Sequence, residues 1–230
     1  MKRKKRVVVL SLGGSQIIPD DVNYSYLKKF KRVLEKHKKD YNFVVVCGGG
    51  SLARKYIKAI KKEGLSEFHQ SLAGISATRS NARFVSHFFG FDSMHGVPHT
   101  VKTVGKYLKK QGIVFCGALE YKEDQTSDSV AAILAKRFGG EFVNLTNVKG
   151  LYTKDPNKYK NAKFISEISW KDFDEMVQKI KFKPGQHFVL DQNASKVIRK
   201  KKIPTHIIKD LSQLDKYLSW QKFVGTTIEG

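Results

Sequence analysis

Cysteine, proline and long apolar runs are all scarce in this sequence, and each scarcity excludes a class of protein. The 230 residues include two cysteines and five prolines, and no apolar run approaches the roughly 20 residues that span a bilayer. The basic N-terminus also lacks the apolar segment of a signal peptide. We therefore expect a cytoplasmic protein without a membrane partner, in which Cys47 and Cys116 stay free thiols.

Acidic residues are scarce too, since 21 Asp and Glu stand against 43 Lys and Arg, a formal net charge of +22. Such an excess attracts polyanions, including nucleic acids. The basic residues are scattered over most predicted helices, however, and only residues 2–6 and 199–202 form dense runs. The sequence shows no helix-turn-helix, zinc-finger or aromatic RNA-binding signature. We interpret most of the charge as solvated helix faces, which would still draw in a nucleotide, and we do not expect a nucleic-acid partner.

The common sequence motifs for phosphate and metal binding are absent from this sequence or match it only weakly. No GxxxxGK[ST] segment occurs, which excludes a P-loop protein. Gly48, Gly50 and Ala53 satisfy a degenerate dinucleotide-binding pattern, but Glu67, near the distance of the ribose-binding acid, does not end a predicted strand. Dinucleotide binding is therefore the weaker interpretation. The seven histidines show no HExxH or paired Cys/His spacing, so we expect no transition metal ligated by protein side chains.

Apolar strands alternate with amphipathic helices along the chain. The predicted strands are 7–12, 42–47, 112–116, 141–146, 204–208 and 224–228. The predicted helices are 22–39, 51–63, 71–90, 100–111, 127–138, 170–180, 192–202 and 211–219. The first three strands are continuously apolar, as expected when helices cover both faces of a parallel sheet, so the predicted fold class is α/β.

Glycine-rich turns follow the first two strands. Gly13-Gly14-Ser15 comes after one strand, and Gly48-Gly49-Gly50 comes after the next and leads into a basic helix. Residues without a Cβ let backbone N–H groups approach an anion, and the helix adds unpaired amides and the positive end of its dipole. Arg54, about one turn into that helix, adds donors for a phosphate oxygen. We expect two facing turns that bind two phosphorylated molecules end to end at the carboxyl edge of the sheet.

The order and spacing of further motifs resemble the amino-acid kinase family, and within it the archaeal type of uridylate kinase. The resemblance covers nearly the whole chain. It rests on residues 12–15, 48–57, 74–75 with 78–82, 126–132, 146–156, 190–191 with 195–196, and 225–229.

The resemblance implies a three-layer α/β/α sandwich around a mostly parallel sheet. It also implies transfer of the γ-phosphoryl group of ATP to UMP, with Mg²⁺, in pyrimidine nucleotide biosynthesis and in a homohexamer. A single domain would span residues 1–230, with an acceptor-side lobe over about 1–140 and an ATP-side lobe over about 141–230.

The resemblance also implies site residues by position, without a protein ligand for a metal. The ATP-binding residues would be Gly13, Gly14, Ser15, Gly50, Arg54, Thr146, Tyr152 and Asp155. The UMP-binding residues would be Gly49, Ser71, Thr126 and Ser127. The catalytic residues would be Lys196, Asp128 and Arg54. Asp128 would orient cationic groups, although an N-cap role explains it equally well, and Lys196 would stabilise charge on the transferring group unless it is a surface lysine.

Several positions depart from the family pattern, mainly on the acceptor side. Ser11 stands where many relatives have a lysine, and Ser71 stands where an aspartate usually binds the acceptor ribose. The loop 117–125 is longer and more acidic, and Lys149 replaces an acidic residue. Two alternatives therefore stay open: a family member with a different acceptor, and a nucleotide-binding protein with impaired catalysis.

Overall fold

A seven-stranded sheet crosses the part of the chain that the computed structural model describes, residues 5–122, 125–154, 156, 158–179 and 190–230. The strands in chain order are β1 (Arg6–Leu12), β2 (Tyr41–Cys47), β3 (Ile113–Cys116), β4 (Glu141–Leu145), β5 (Leu151–Tyr152), β6 (Phe164–Ile165), β7 (Glu167–Ile168), β8 (Thr205–Ile208) and β9 (Gly225–Ile228). The sheet order is β3-β2-β1-β4-β8-β9-β7. Neighbours from β3 to β8 are parallel, β9 is antiparallel to β8, and β5 and β6 form a separate hairpin.

Helices connect the strands and cover both faces of the sheet. They are α1 (Gly14–Ile17), α2 (Tyr24–His37), α3 (Gly50–Lys62), α4 (Glu67–Phe88), α5 (Val101–Gln111), α6 (Ser127–Phe138), α7 (Trp170–Gln178), α8 (Gln192–Lys201) and α9 (Leu211–Leu218). Every helix and strand predicted from the sequence is present, with ends shifted by a few residues. The sequence did not predict α1, the β5–β6 hairpin or β7.

Two apolar clusters pack on opposite faces of the sheet, which confirms the predicted three-layer α/β/α sandwich. Along β1, Val8 and Leu10 face the cluster that includes side chains of α2, α4 and α9, whereas Val9 faces the cluster built with α5, α6, α7 and α8. Both faces of a central strand are therefore buried, which is why β1 and β2 read as continuous apolar runs rather than alternating ones.

The two cysteines end neighbouring strands and are free and buried, as the sequence predicts. Burial raises the pKa of both thiols, that of Cys116 to about 12. Both side chains therefore act as small apolar groups in the core.

A polar network lies at the amino edge of the sheet, where the parallel strands begin. The carboxylate of Glu141, at the start of β4, accepts hydrogen bonds from Arg6 and Tyr217, and it lies 3.1 Å from Nε2 of His206. Burial alone would raise the pKa of Glu141, but hydrogen bonds from His206 and Tyr217, with the charges of His206 and Arg6, lower it to about 2. The network ties β1, β4, β8 and α9 together.

Among the residues that the structure covers, every helix is too short or too polar to serve as a membrane span.

Candidate active site

The two glycine turns touch each other through their backbones at the carboxyl edge of the sheet. The N–H of Gly48 donates to the carbonyl of Leu12, the last residue of β1, at 2.9 Å. A Cβ on Gly14 would lie 2.2 Å from the backbone nitrogen of Gly50, whose φ of +57° also favours glycine. The sequence predicts two facing turns that bind two phosphorylated molecules; in the structure the two turns are in backbone contact and form one continuous floor.

Asn81 holds the second turn in place, a role that sequence reasoning missed. Its Nδ2 donates to the carbonyls of Gly48, at 2.8 Å, and Gly49, at 3.3 Å, and the residue is 1% exposed. The signals in the sequence are its place in the motif 78–82 and its position as a polar residue on the helix stripe that includes Ala77, Ala82 and Val85. Because an amide buried without partners is costly, the hydrogen bonds from Asn81 to these two carbonyls fix both the helix and the turn.

A cleft of about 1470 Å³ opens above this glycine floor. It brings together ten of the predicted site residues: Gly13, Gly14, Ser15, Gly49, Gly50, Arg54, Ser127, Asp128, Thr146 and Tyr152. Arg54 is exposed on the first turns of α3, and among the described residues its guanidinium has no hydrogen-bond or ion-pair partner. Asp155, predicted to bind ATP, lies outside the described residues.

Three lysines that the sequence did not single out also line this cleft. They are Lys154 and Lys158, which follow β5, and Lys179, which follows α7. With Arg54 they give the cleft four cationic side chains, against the acidic Asp128, Asp172 and Glu175. The balance favours a ligand with several negative charges.

Asp128 faces a neutral hydroxyl rather than a cation. The Oγ of Ser11, a buried residue of β1, donates to Oδ1 of Asp128 at 2.6 Å. Burial raises the pKa of the Asp128 carboxyl to about 7, with a further increase from the nearby Asp191, although the Ser11 hydrogen bond lowers it. No ion pair reaches Asp128 within the described residues, so its predicted role in orienting cations stays a prediction.

The alternative interpretation of Asp128 as a helix cap is wrong. Thr126 caps α6: its Oγ1 accepts from the N–H of Ser129 at 3.1 Å, and the Ser129 hydroxyl in turn accepts from the N–H of Thr126. This reciprocal capping leaves the Asp128 carboxylate, two residues into the helix, free to face the cleft.

A second cavity, of about 540 Å³, lies on the other side of the α6 N-terminus. Three residues of the predicted acceptor site line it, Ser71, Thr126 and Ser127. Ser127 lines both cavities, whereas Gly49, also predicted on the acceptor side, lines only the larger cleft.

The N-termini of α6 and α8 meet at this second cavity. Thr126 Oγ1 donates to Asp191 Oδ2 at 2.6 Å, while Asp191 Oδ1 caps α8 by accepting from the N–H groups of Asn193 and Ala194. The predicted motif contained Asp191, but its role as the link between two helices was not foreseen.

The loop after β3 forms one wall of the second cavity, and α4 anchors it. Arg79 donates to the carbonyls of Ala118 and Leu119, and Thr78 Oγ1 accepts from the N–H of Ala118 at 2.9 Å. Burial lowers the pKa of Arg79, whose guanidinium donates to these carbonyls. Of the acidic residues in this loop, Glu120 lines the cavity. The other two, Glu123 and Asp124, lie outside the described residues.

Two further residues singled out from the sequence lie apart from both cavities. Lys196 is exposed on α8 and Lys149 is exposed before β5, and neither lines either cavity. The catalytic role of Lys196 therefore rests on the resemblance alone.

Comparison with known proteins identifies the family of the chain. The amino acid kinase family model matches residues 6–209. Uridylate kinase from Thermococcus kodakarensis is 32% identical over 225 residues, covering 96% of this chain and 99% of that protein. The uridylate kinase of Methanobrevibacter smithii is 30% identical over 224 residues, covering 96% of this chain and 98% of that protein.

Solved structures lead to the same family. The crystal structure of uridylate kinase from Archaeoglobus fulgidus superimposes with a TM-score of 0.83 at 32% identity, covering 96% of this chain and 99% of that one. The UMP kinase of Ureaplasma parvum, at 18% identity and a TM-score of 0.77, shares the fold. Since the motifs, the fold and relatives over nearly the whole length agree, this chain belongs to the amino acid kinase family and resembles its archaeal uridylate kinases.

Proposed function

We propose that the chain transfers the γ-phosphoryl group of ATP to UMP, giving ADP and UDP. One observation carries the proposal: two cavities of different size share a lining residue, Ser127, at the α6 N-terminus. A donor in the larger cleft and an acceptor in the smaller cavity would meet there. Phosphoryl transfer requires such an end-to-end arrangement of two substrates more than it requires a nucleophilic side chain.

The charge distribution supports a triphosphate in the larger cleft. The glycine turns line the floor of the cleft, and Arg54 beside them has no partner among the described residues. Together with the three cleft lysines defined above, Arg54 would neutralise the charge that develops on the transferring group. This arrangement offers an alternative to the lysine that many relatives carry at the position of Ser11.

The residues fit a magnesium ion that arrives with the nucleotide. Mg²⁺ is usually held by one or two carboxylates together with substrate phosphates, where it neutralises phosphate charge. Within the described ranges, no group of three or more His, Cys, Asp or Glu side chains is arranged to hold a metal. The ion would therefore be held mainly by the phosphates of ATP.

The division into an acceptor lobe and an ATP lobe needs refinement within this proposal. Residues 13–16 and 48–50 line the larger cleft together with residues after 141, and Asp191 lines the smaller cavity together with Ser71. Each substrate would then contact both halves of the chain. A homohexamer and a role in pyrimidine nucleotide biosynthesis remain predictions from the resemblance.

An ADP-release assay across acceptors tests the proposed reaction. We expect ADP formation with ATP and UMP, and much slower formation with other nucleoside monophosphates, carbamate or amino acids. ADP formed with another acceptor but not with UMP would support the first alternative, a different substrate. ATP binding without transfer to any acceptor would support the second, a catalytically impaired protein.

Substitution of Arg54 tests the placement of the donor phosphates. We expect Arg54→Ala to lower kcat by roughly 10²–10³, the scale for loss of one donor to the transition state. Lys58→Ala is the matched control, because Lys58 is exposed one turn further along α3 and lines neither cavity. Lys196→Ala should be measured beside them: wild-type turnover would remove Lys196 from the site, and wild-type turnover in Arg54→Ala would show that the cleft is assigned wrongly.

A further inference from the structure

Two aromatic side chains meet at the smaller cavity, outside the residues assigned by resemblance. Tyr121, in the loop after β3, lines the cavity, and Phe68, in the first turn of α4, packs against it edge to face. The ring centroids are 4.9 Å apart and the ring planes are at 90°. Phe68 is 45% exposed and Tyr121 is 40% exposed, so much of each ring faces solvent.

This exposure distinguishes the pair from the aromatic contacts of the core. Phe89 and Phe115, for example, have centroids 4.7 Å apart but are only 8% and 3% exposed. A core pair is stabilised by the apolar surface it removes from water, whereas the Phe68–Tyr121 pair leaves large apolar faces hydrated. Such faces beside a ligand-sized cavity are typical of a binding surface.

The loop that carries Tyr121 is fixed on its N-terminal side. Leu119, two residues before, is 6% exposed and belongs to the apolar cluster of α5 and α6. Arg79 and Thr78 bind the backbone of residues 118–119, as described above. A Cβ on Gly117 would lie 2.6 Å from Thr78 Oγ1, so the loop sits directly on α4. The tyrosine is therefore carried by an anchored backbone, and Phe68 supports its ring from the same helix.

We propose that the Phe68–Tyr121 pair forms an aromatic wall that stacks the base of the acceptor nucleotide. The inference rests on the proposed function and deepens it, because it requires an acceptor with a planar ring. The acceptor phosphate would lie at Ser127, where the cavities meet, and the base would lie against Tyr121. A neutral Ser71 holds a ribose less strongly than a carboxylate would, and stacking on Tyr121 offsets that loss.

Equilibrium binding to the Tyr121→Ala variant tests the wall. With an unreactive ATP analogue present, calorimetry should show the Kd of UMP raised by roughly 5- to 100-fold, the range for loss of one base–aromatic stack. The Kd of the ATP analogue should not change. The affinity for ribose 5-phosphate, which has no base, should be weaker than that for UMP in the wild type and unaffected by the substitution.

Three further variants separate stacking from a general structural effect. Tyr121→Phe should keep wild-type affinity for UMP, since the ring is retained, and Phe68→Ala should weaken UMP binding by a smaller factor. Tyr24→Ala is the matched control, because Tyr24 is 59% exposed and packs edge to face on Phe88, away from both cavities. It should bind UMP like the wild type.

Two outcomes would overturn the inference, and only one of them would also overturn the proposed function. Unchanged UMP affinity in Tyr121→Ala, in a protein whose wild type phosphorylates UMP, would remove the wall and keep the proposed function. A wild-type protein that binds no UMP would overturn both.

Discussion

At the scale of single residues, the Ser11–Asp128 contact separates this chain from the pattern it resembles. A lysine at position 11 would place a cation beside the carboxylate, whereas Ser11 offers one neutral hydrogen bond of 2.6 Å. The carboxylate is partly buried and has no counter-charge among the described residues, and this burial raises its pKa. Asp128, which we propose to lie near the phosphates, is therefore also a source of instability at neutral pH.

Asp128→Asn should be more stable than the wild type at alkaline pH. Between pH 3.8 and about 7 the folded state binds more protons than the unfolded one, so wild-type stability falls as the pH rises through this window. We expect the variant to gain about 1–3 kcal/mol at pH 8, with the difference vanishing below pH 4. Urea unfolding at several pH values measures this. Asp20→Asn is the control, at an exposed residue without a partner in the described structure, and its stability relative to the wild type should not change with pH. An Asp128→Asn variant that is less stable than the wild type at pH 8 would contradict the argument.

The sequence predicted residues whose role follows from their type and local position. It did not predict residues whose role depends on a partner far away in the chain. Gly14, Gly50 and Arg54 were predicted because glycine turns after apolar strands favour anion sites. Asn81 was missed because its two carbonyl partners lie 32 and 33 residues away. A cap of α6 was one of two interpretations of Asp128, and the structure gives that role to Thr126: both residue types cap helices and only the backbone geometry decides between them.

At the scale of secondary structure, the junction of α6 and α8 is the element contact that shapes the smaller cavity. Thr126 caps α6 and at the same time donates to Asp191, which caps α8. One hydroxyl therefore fixes where two helices begin. Any loosening of this contact would move Ser127, which lines both cavities.

Thr126→Val should affect both stability and acceptor binding. The variant loses a helix cap, about 1 kcal/mol, and leaves Asp191 Oδ2 without its hydroxyl donor, which adds about 1–3 kcal/mol. We expect a higher KM for UMP with a nearly unchanged KM for ATP. Thr100→Val is the matched control, because Thr100 caps α5 in the same way, with a bond of 3.1 Å to the N–H of Thr103, and lines neither cavity. Steady-state kinetics of the two variants should differ; an unchanged KM for UMP in Thr126→Val would mean that the junction does not shape the site.

The length of an element determined whether it could be predicted. Long apolar strands such as β1 and β2, with seven residues each, produce an unmistakable pattern. Helix α1 has four residues, and β5, β6 and β7 have two each, which is too short for any hydrophobic period to register. These short elements exist because of tertiary contacts: Thr226, for example, accepts from the N–H of Leu151 at 2.8 Å and so holds β5.

At the scale of the whole molecule, the two edges of the sheet have different tasks. The carboxyl edge carries the glycine floor and both cavities, where Asp128 is held at a cost in stability. The amino edge carries the Glu141 network, which joins three strands and α9 without contact to either cavity. Substitutions at the two edges should therefore have separable effects.

Glu141→Gln should lower stability without altering kinetics. The pKa of Glu141 falls from its usual 4.5 to about 2 on folding, so its contribution is present above pH 4.5 and is lost as the pH falls towards 2. We expect a loss of about 1–3 kcal/mol at pH 7, mainly from the His206 and Tyr217 contacts because Arg6 is largely exposed. Unfolding midpoints from pH 7 to pH 2 should show the difference shrinking. Glu35→Gln, on the exposed face of α2, is the control. If the stability difference between Glu141→Gln and the wild type stayed constant with pH, the lowered pKa of Glu141 would not explain it.

The contact between Gly14 and Gly50 also constrains how this sequence can vary. A methyl group at either position would press into the backbone of the other turn, at 2.2 Å from one side and 2.5 Å from the other. Neither clash can be relieved by rotating a side chain, so no single replacement is tolerated and a compensating change at the second position does not help. Both positions therefore require glycine as long as this backbone is kept, and differences between variants of the cleft have to come from the side chains around the floor.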